Sequence, residues 1–306
     1  MCKPTYFDVI HYKLNAHMLM KKQVNKNTAM MQWSLLKNTL QSCNVNVNFI
    51  EPKEGLVDMV FAANGGLIHD NKALISNFTA APRKRESKEY FNYFKQYGFD
   101  TYQMQTPFEG AGDGLFSHNN KHLWLGYGFR SYKDSKNEIT DILSDNSVEI
   151  HSLELVDENY YHLDTCFCPI GHKDLLLYPK AFTKESLKKI YDVFGETNCI
   201  EVSDEDAQNF ACNSICIESI INNYSYITVL GNKFSQDLKQ ILHKKNYYLI
   251  ENRMSQFLLS GGSTKCCVLN VNKKLSKFTI DDFNNVNTKY YVEGDSNNNY
   301  KVEVYN

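Results

Sequence analysis

The chain has 306 residues, 42% of them hydrophobic and 13% aromatic, with 33 basic against 35 acidic side chains and a formal net charge of −2. That composition supplies a substantial core, and the near-neutral balance gives no electrostatic case for nucleic acid or an anionic membrane as partner. No apolar run approaches the ~20 residues of a membrane span, and Met1-Cys2-Lys3-Pro4-Thr5 lacks the apolar stretch of a secretory leader, so the expected home is the cytoplasm, with nine reduced cysteines.

In chain order, Thr28 to Leu40 reads as an amphipathic helix and Val45 to Ile50 as a half-buried strand. The segment Met59-Val60-Phe61-Ala62-Ala63 reads as an apolar strand running out onto Asn64 and two glycines. Glu86 to Tyr97 reads as a helix stopped by Gly98, followed by a strand over Phe99 to Gln105. Strands at Leu115 to Ser117 and His122 to Leu125 then lead to a helix from Asn137 to Ser144. The order returns with strands at Val148 to Leu155, Phe167 to Pro169 and Leu175 to Tyr178, and a helix from Lys184 to Val193 begun by Thr183. Cys199 to Val202, Ala211 to Glu218 and Ile227 to Leu230 follow as strands, then a helix from Phe234 to His243 and strands at Tyr247 to Ile250 and Val268 to Val271. These are four or five strand–strand–helix–strand modules, which favour a mixed α/β fold with internal repeats over a doubly wound sheet. Residues 1–272 read as one catalytic domain. Lys273 to Asn306 reads as an Asn-rich extension that forms an edge hairpin or a loose tail.

Chemistry concentrates in four short stretches. Phe108-Glu109-Gly110-Ala111-Gly112-Asp113 sets two carboxylates around small residues that let backbone approach a ligand. Tyr161-His162-Leu163-Asp164 places an imidazole and a carboxylate on one face of an extended segment. Cys266 lies on the Gly261-Gly262 loop, and strand alternation leaves only one of Cys266 and Cys267 facing a site. Asn64 is the fourth, and Arg83 and Arg130 stand out as forks for a carboxylate. Read singly, each has a structural account: a tight turn, a buried ion pair, a packed thiol, a surface ion pair. Together, a thiol nucleophile, an imidazole and several anionic groups make a covalent-catalysis set suited to a cationic substrate. No cysteines show the paired Cys-x-x-Cys spacing of structural zinc, and neither metal nor cofactor is expected.

In combination these motifs resemble the guanidino-group-modifying superfamily of arginine deiminases, dimethylarginine dimethylaminohydrolases, amidinotransferases and arginine dihydrolases. The likeness runs from Met1-Cys-x-Pro-x-Tyr-Phe7 to Gly-Gly-Ser-x-Lys-Cys266. The Asn64 loop, with Asn15-Ala-His-Met18 and Gln32-Trp33 upstream, looks most like the dihydrolase branch. Departures are Ala16-His17 after Asn15, Gln256 where Glu is usual, and Cys267 where Leu or Met is expected.

The resemblance implies a five-bladed α/β propeller (pentein fold) of ββαβ modules around a pseudo-fivefold axis. It implies Cys266 as nucleophile, His162 as acid/base and Glu109 as the group orienting His162. Asp164 and Asn64 then hold the guanidinium. Asn15, Arg83 and Arg130 hold the amino-acid end, the backbone at Ser260 lines the pocket, and Asp113 buttresses the loop. The implied partner is a small guanidino compound, arginine or a derivative; a homo-oligomer is compatible with it. The implied activity is arginine dihydrolysis, with a deiminase, a dimethylarginine hydrolase, an amidinotransferase and a non-catalytic binder as alternatives.

Overall fold

Helix α1 (Lys26–Ser42) starts at Asn25, whose side chain accepts the Thr28 N–H, and buries Ala29, Trp33, Leu36 and Leu40. The computed structural model describes residues 1–10, 15–17, 23–144, 147–221, 224–271, 290–294 and 300–304. Its first unit is Met1–Asn272 and its second Lys273–Asn306.

Four modules of one plan make up most of the first unit. Strands β1 (Gly66–His69) and β2 (Lys72–Ile75) pair antiparallel, α2 (Glu86–Gln96) crosses over, and β3 (Asp100–Gln103) joins parallel to β2. The second module repeats this with β4 (Gly114–Ser117), β5 (His122–Tyr127), α3 (Ser135–Leu143) and β6 (Glu149–Glu154). The third uses β7 (Phe167–Ile170), β8 (Asp174–Leu177), α4 (Lys184–Phe194) and β9 (Cys199–Glu201). A short helix, α5 (Asp204–Gln208), leads to the fourth: β10 (Ile215–Ile221), β11 (Tyr224–Gly231), α6 (Gln236–Lys244) and β12 (Tyr247–Glu251). The second unit holds an antiparallel pair, β13 (Tyr290–Gly294) and β14 (Tyr300–Val304).

The crossover helices form for local reasons. Thr183 caps α4 by accepting the Ser186 N–H, and Ser235 caps α6 by accepting from Leu238. Ser186, Ile190 and Phe194 recur at four-residue spacing on the buried face of α4. Burying Ile190 and Phe194 contributes about 2 kcal/mol each. They join Trp124, Phe167 and Leu176 in one core, so the second and third modules share packing. A second cluster gathers Phe7, Trp33, Phe61, Phe257, Cys266 and Cys267, tying the N-terminal segment to the Cys266 loop. Among the described residues no helix is long and apolar enough to cross a membrane.

Four segments depart from the expected local structure. Val45 to Ile50 makes one parallel bridge, Cys2 to Ile50, instead of a ladder. Its partner there is the Met1–Cys2 backbone: the Met1 amine donates to the Asn48 carbonyl at 2.9 Å and the Ile50 N–H to the Met1 carbonyl at 3.0 Å. The apolar run before Asn64 folds as two 3-10 turns, Val57–Val60 and Ala62–Gly65. His162 is the cap of a 3-10 turn, Leu163–Thr165, not part of a strand. Val268 to Val271 is no strand: the Val268 N–H closes onto the Lys265 carbonyl, 3.0 Å away, so Cys266 sits in a turn. In each case an apolar, alternating sequence is held by contacts to distant segments instead of by a neighbouring strand.

Candidate active site

Each module enters its first strand through a tight turn that carries a polar residue. Asn64 lies two residues before β1, Asp113 one before β4, Asp164 three before β7 and Asn213 two before β10. The Cys266 turn is the fifth. Four hydrogen-bonded steps link these five turns in series. Asp113 Oδ1 accepts the Leu163 N–H at 3.0 Å, and Asn213 Nδ2 donates to the Asp164 carbonyl at 3.1 Å. The Asn213 carbonyl accepts the Lys265 N–H at 3.2 Å, and the Cys266 carbonyl accepts the Ala63 N–H at 3.0 Å. The remaining step, from Asn64 back to Asp113, is packing: a Cβ on Gly112 would lie 2.2 Å from Asn64 Nδ2 and 3.4 Å from His162 Cγ. Only glycine lets those two side chains flank that turn.

At the sulfur, Asn213 clamps Cys266 from both sides. Its Oδ1 accepts the Cys266 N–H at 3.2 Å and its Nδ2 lies 3.1 Å from Sγ. Asp164 Oδ2 is 3.4 Å from the same sulfur, placed to accept the thiol proton, while Asp164 Oδ1 is buried without a hydrogen-bond partner. Burial and the Asp164 charge push the Cys266 thiol well up, so it rests protonated. Burial raises Asp164 to about 6, against the pull of Lys265 and the bonds from Cys266 and Asn213.

The imidazole belongs to a second cluster. His162 Nε2 donates to Glu109 Oε2 at 2.8 Å, and Arg130 Nη1 donates to the same oxygen at 2.8 Å. Burial works to raise Glu109, but the Arg130 charge and the His162 bond outweigh it and hold the carboxyl far below its usual range. Burial lowers His162 to about 4 despite Glu109 beside it. The resting pair is therefore an ionised Glu109, balanced by Arg130, and a neutral His162 donating its Nε2 proton. That tautomer leaves Nδ1 as the atom able to take a proton.

Arg83 occupies the third corner. Its Nε and Nη2 donate to Glu86 at 3.0 and 2.8 Å, and its Nη1 donates to Asn64 Oδ1 at 2.7 Å. The Asn64 amide is thereby fixed: its oxygen faces Arg83, and its buried Nδ2 has no hydrogen-bond partner. Burial raises Glu86 to about 7 even with Arg83 against it.

One narrow pocket is lined by Asn64, Arg83, Arg130, Tyr161, His162 and Cys266, with Asn15, Asp58, Phe61 and Ser260 to Gly262 completing the wall. Asn15 Nδ2 donates to the Ser260 carbonyl at 2.9 Å, and its oxygen accepts the His17 N–H at 3.1 Å. Met18 of the same motif lies outside the described residues. Glu109 stands behind His162. Asp164 reaches the pocket through the Cys266 sulfur and borders a neighbouring cavity lined also by Lys265 and Cys168. Asp113 is wholly internal, accepting from Leu163 and from Ser131 Oγ at 2.6 Å; burial raises it well above its usual range. Cys267 packs against the N-terminal cluster, so Cys266 alone serves the pocket.

One sequence reading changes. Arg83 and Arg130 are not surface ion pairs; each is buried against a protein carboxylate and lines the pocket. Asp58 and Asn213 went unread. Asp58 was visible as an acid inside the apolar run Leu56-Val57-Asp58-Met59-Val60. Asn213 gives no signal, because its contacts lie 49 and 53 residues away. Asn213→Ala should lower the unfolding free energy by about 2–4 kcal/mol, since it strands the Cys266 N–H and the Asp164 carbonyl in the interior. Urea denaturation reads this; an unchanged midpoint would deny the clamp.

Known proteins match this chain over most of its length. The family described as N,N-dimethylarginine dimethylhydrolase, eukaryotic, matches residues 11–273. The bifunctional arginine dihydrolase/ornithine cyclodeaminase ArgZ of Synechocystis sp. is 37% identical over 280 residues, 90% of this chain and 38% of its own length. This chain thus spans well under half of that relative. The N(G),N(G)-dimethylarginine dimethylaminohydrolase of Mycobacterium tuberculosis is 30% identical over 271 residues, covering 89% and 84%. A crystal structure of the N-terminal domain of ArgZ bound to substrate superposes with a TM-score of 0.81 at 36% identity, covering 89% of this chain and 97% of that one.

Proposed function

The chain belongs to the dimethylarginine dimethylaminohydrolase-type family of guanidino-group-modifying hydrolases, within the arginine dihydrolase branch, and on that premise we propose that it hydrolyses arginine twice, to ornithine, carbon dioxide and two ammonia. The observation that carries the dihydrolase reading is the Asn64 amide, held by Arg83 with its Nδ2 donor turned away from that arginine and without a hydrogen-bond partner. A ureido oxygen is the acceptor that such a donor fits. The fold completes the reading: five turns in a ring, four of them opening a described module, support a five-bladed propeller whose fifth blade is built around the Cys2–Ile50 bridge and the Cys266 turn. Residues 273–306 are then an extension beyond the catalytic domain.

Arginine's guanidinium is flat and permanently charged. Its arrival beside Asp164 and Cys266 favours the thiolate, whose proton passes to His162 Nδ1. Sulfur attacks the central carbon, and His162 returns the proton to one terminal nitrogen as it leaves as ammonia. The resulting S-alkylthiouronium is opened by a water that gives its proton to His162, yielding citrulline and free sulfur. Held by Asn64, the ureido carbon is attacked again and the second terminal nitrogen leaves. Hydrolysis of that thioester-like adduct releases a carbamate, which falls apart to ornithine and carbon dioxide. Asn15, Asp58, Arg83 and Arg130 offer both signs of charge, as the zwitterionic end of an amino acid requires.

Incubating the purified chain with arginine and identifying products by mass spectrometry tests the reading; citrulline accumulating without ornithine ends it. A dimethylarginine substrate is the second reading, supported by the Mycobacterium tuberculosis relative, and release of dimethylamine reveals it. The pH dependence of binding has a definite sign. Asp164 must be ionised to attract the cation, and burial raises its carboxyl to about 6. Arginine affinity should therefore be flat above about pH 7 and weaken about tenfold per unit below 6. His162, at about 4, adds nothing in that window. Calorimetry on a Cys266→Ser variant reads this directly, and a pH-independent dissociation constant would remove Asp164 from the site.

A further inference from the structure

Register brings a second cluster together on the other end of β5 from the Arg130 loop. In the parallel β5–β6 pair His122 stands opposite Glu149 and Trp124 opposite His151. Residues two apart share a strand face, so His122 and Trp124 of β5 and Glu149 and His151 of β6 form one four-residue patch. His122 Nδ1 lies 3.0 Å from His151 Nε2. Glu149 brings Oε2 to 3.7 Å from the first nitrogen and Oε1 to 3.6 Å from the second. The three side chains hold one ligand atom each within 4.8 Å of one another.

We propose that His122, Glu149 and His151 bind a divalent transition-metal ion of the zinc class. Four-coordinate zinc with bonds of about 2.0–2.1 Å separates its donors by roughly 3.3 Å, and the observed spacings of 3.0, 3.6 and 3.7 Å straddle that value. Two imidazoles and a carboxylate suit zinc, cobalt or nickel in preference to magnesium or calcium, which take oxygen. The rings are already oriented. His151 stacks on Trp124 at 4.3 Å and 19°, and the buried Trp124 is fixed by its Nε1 bond to Ser117 Oγ at 2.9 Å. His122 stacks on His151 at 5.2 Å. With both histidines half-buried and Glu149 exposed, an ion can enter from solvent, and a water fills the fourth position. The ion displaces the single proton that the two imidazoles otherwise share. Its consequence is a clasp between β5 and β6, whose sheet also carries Asp113 and the Arg130 loop.

The test must separate this site from the Cys266 thiol, because a cysteine thiolate is itself a zinc ligand by its chemistry. The full chain carrying Cys266→Ala, stripped with chelator, is titrated with Co2+. Binding of one equivalent is expected, with visible ligand-field bands and no sulfur charge-transfer band, and with a rise in melting temperature. Adding His151→Ala, or separately the exposed Glu149→Gln, should weaken that binding at least tenfold. Arginine turnover by the Glu149→Gln protein with Cys266 intact should be unchanged. Loss of all Co2+ binding with Cys266→Ala alone, or binding indifferent to both further changes, overturns the proposal. In that case the two rings are only a hydrogen-bonded pair.

Discussion

Cys266→Ser is expected to cut arginine turnover by on the order of 10⁴-fold or more while arginine still binds. The two side chains differ little in size, and the pocket wall of Asn64, Arg83, Arg130, Tyr161 and His162 is untouched. What changes is acidity. The thiol is already pushed up by burial and Asp164, and in the proposed mechanism a bound cation brings its thiolate within reach. A serine hydroxyl starts far higher, and the same cation leaves it protonated. His162 does not compensate, because it donates to Glu109 and titrates near 4, which makes it a weak base for an alcohol. Calorimetry should return a dissociation constant for the variant within a few-fold of the unreacted wild-type complex. Single-turnover assays should show no adduct by mass spectrometry. Cys267→Ser is the control: that thiol packs with Phe7 and Phe257, and turnover should survive the change. Residual Cys266→Ser turnover within tenfold of wild type would mean that the sulfur is not the nucleophile.

The sequence made legible what depends on neighbours along the chain. The cap at Thr183, the stop after α2 and the amphipathic spacing of α1 placed those helices within a residue or two of where they lie. It also marked Glu109, His162, Asp164 and Cys266, because reactive residue types stood in glycine-rich or polar stretches. It failed where distant segments decide. The 3-10 turns before Asn64 and around Leu163 look extended in sequence, since apolar alternation there serves packing instead of a ladder. Asn213 is one asparagine among many until the fold brings it to the sulfur. The arginines show the same limit: charge was visible, but not that Glu86 and Glu109 would be buried beside them. His122 and His151 are 29 residues apart and meet only through the β5–β6 register.

The second large effect is expected at Asn64, whose amide donor is proposed to hold the ureido intermediate for the second hydrolysis. Asn64→Asp keeps the acceptor that faces Arg83 Nη1 and turns the opposite donor into a second carboxylate oxygen. Glu86 holds Arg83 in place through two bonds, so the new side chain has the same anchor and the same orientation. For arginine this oxygen is harmless or helpful: every guanidinium nitrogen is a donor, and the added negative charge attracts the cation. For citrulline it is adverse. The ureido oxygen now faces an anion where the amide offered a proton, and losing that bond while adding repulsion costs about 3 kcal/mol, roughly a hundredfold in occupancy. The intermediate should leave before the second attack. Arginine consumption should then persist within tenfold of wild type, with citrulline replacing ornithine as the main product and only about one ammonia released per arginine. A time course by mass spectrometry with an ammonia assay separates the outcomes. If Asn64→Asp still delivers ornithine in wild-type proportion, the amide does not retain the ureido group, and the second hydrolysis must be held by another residue of the pocket.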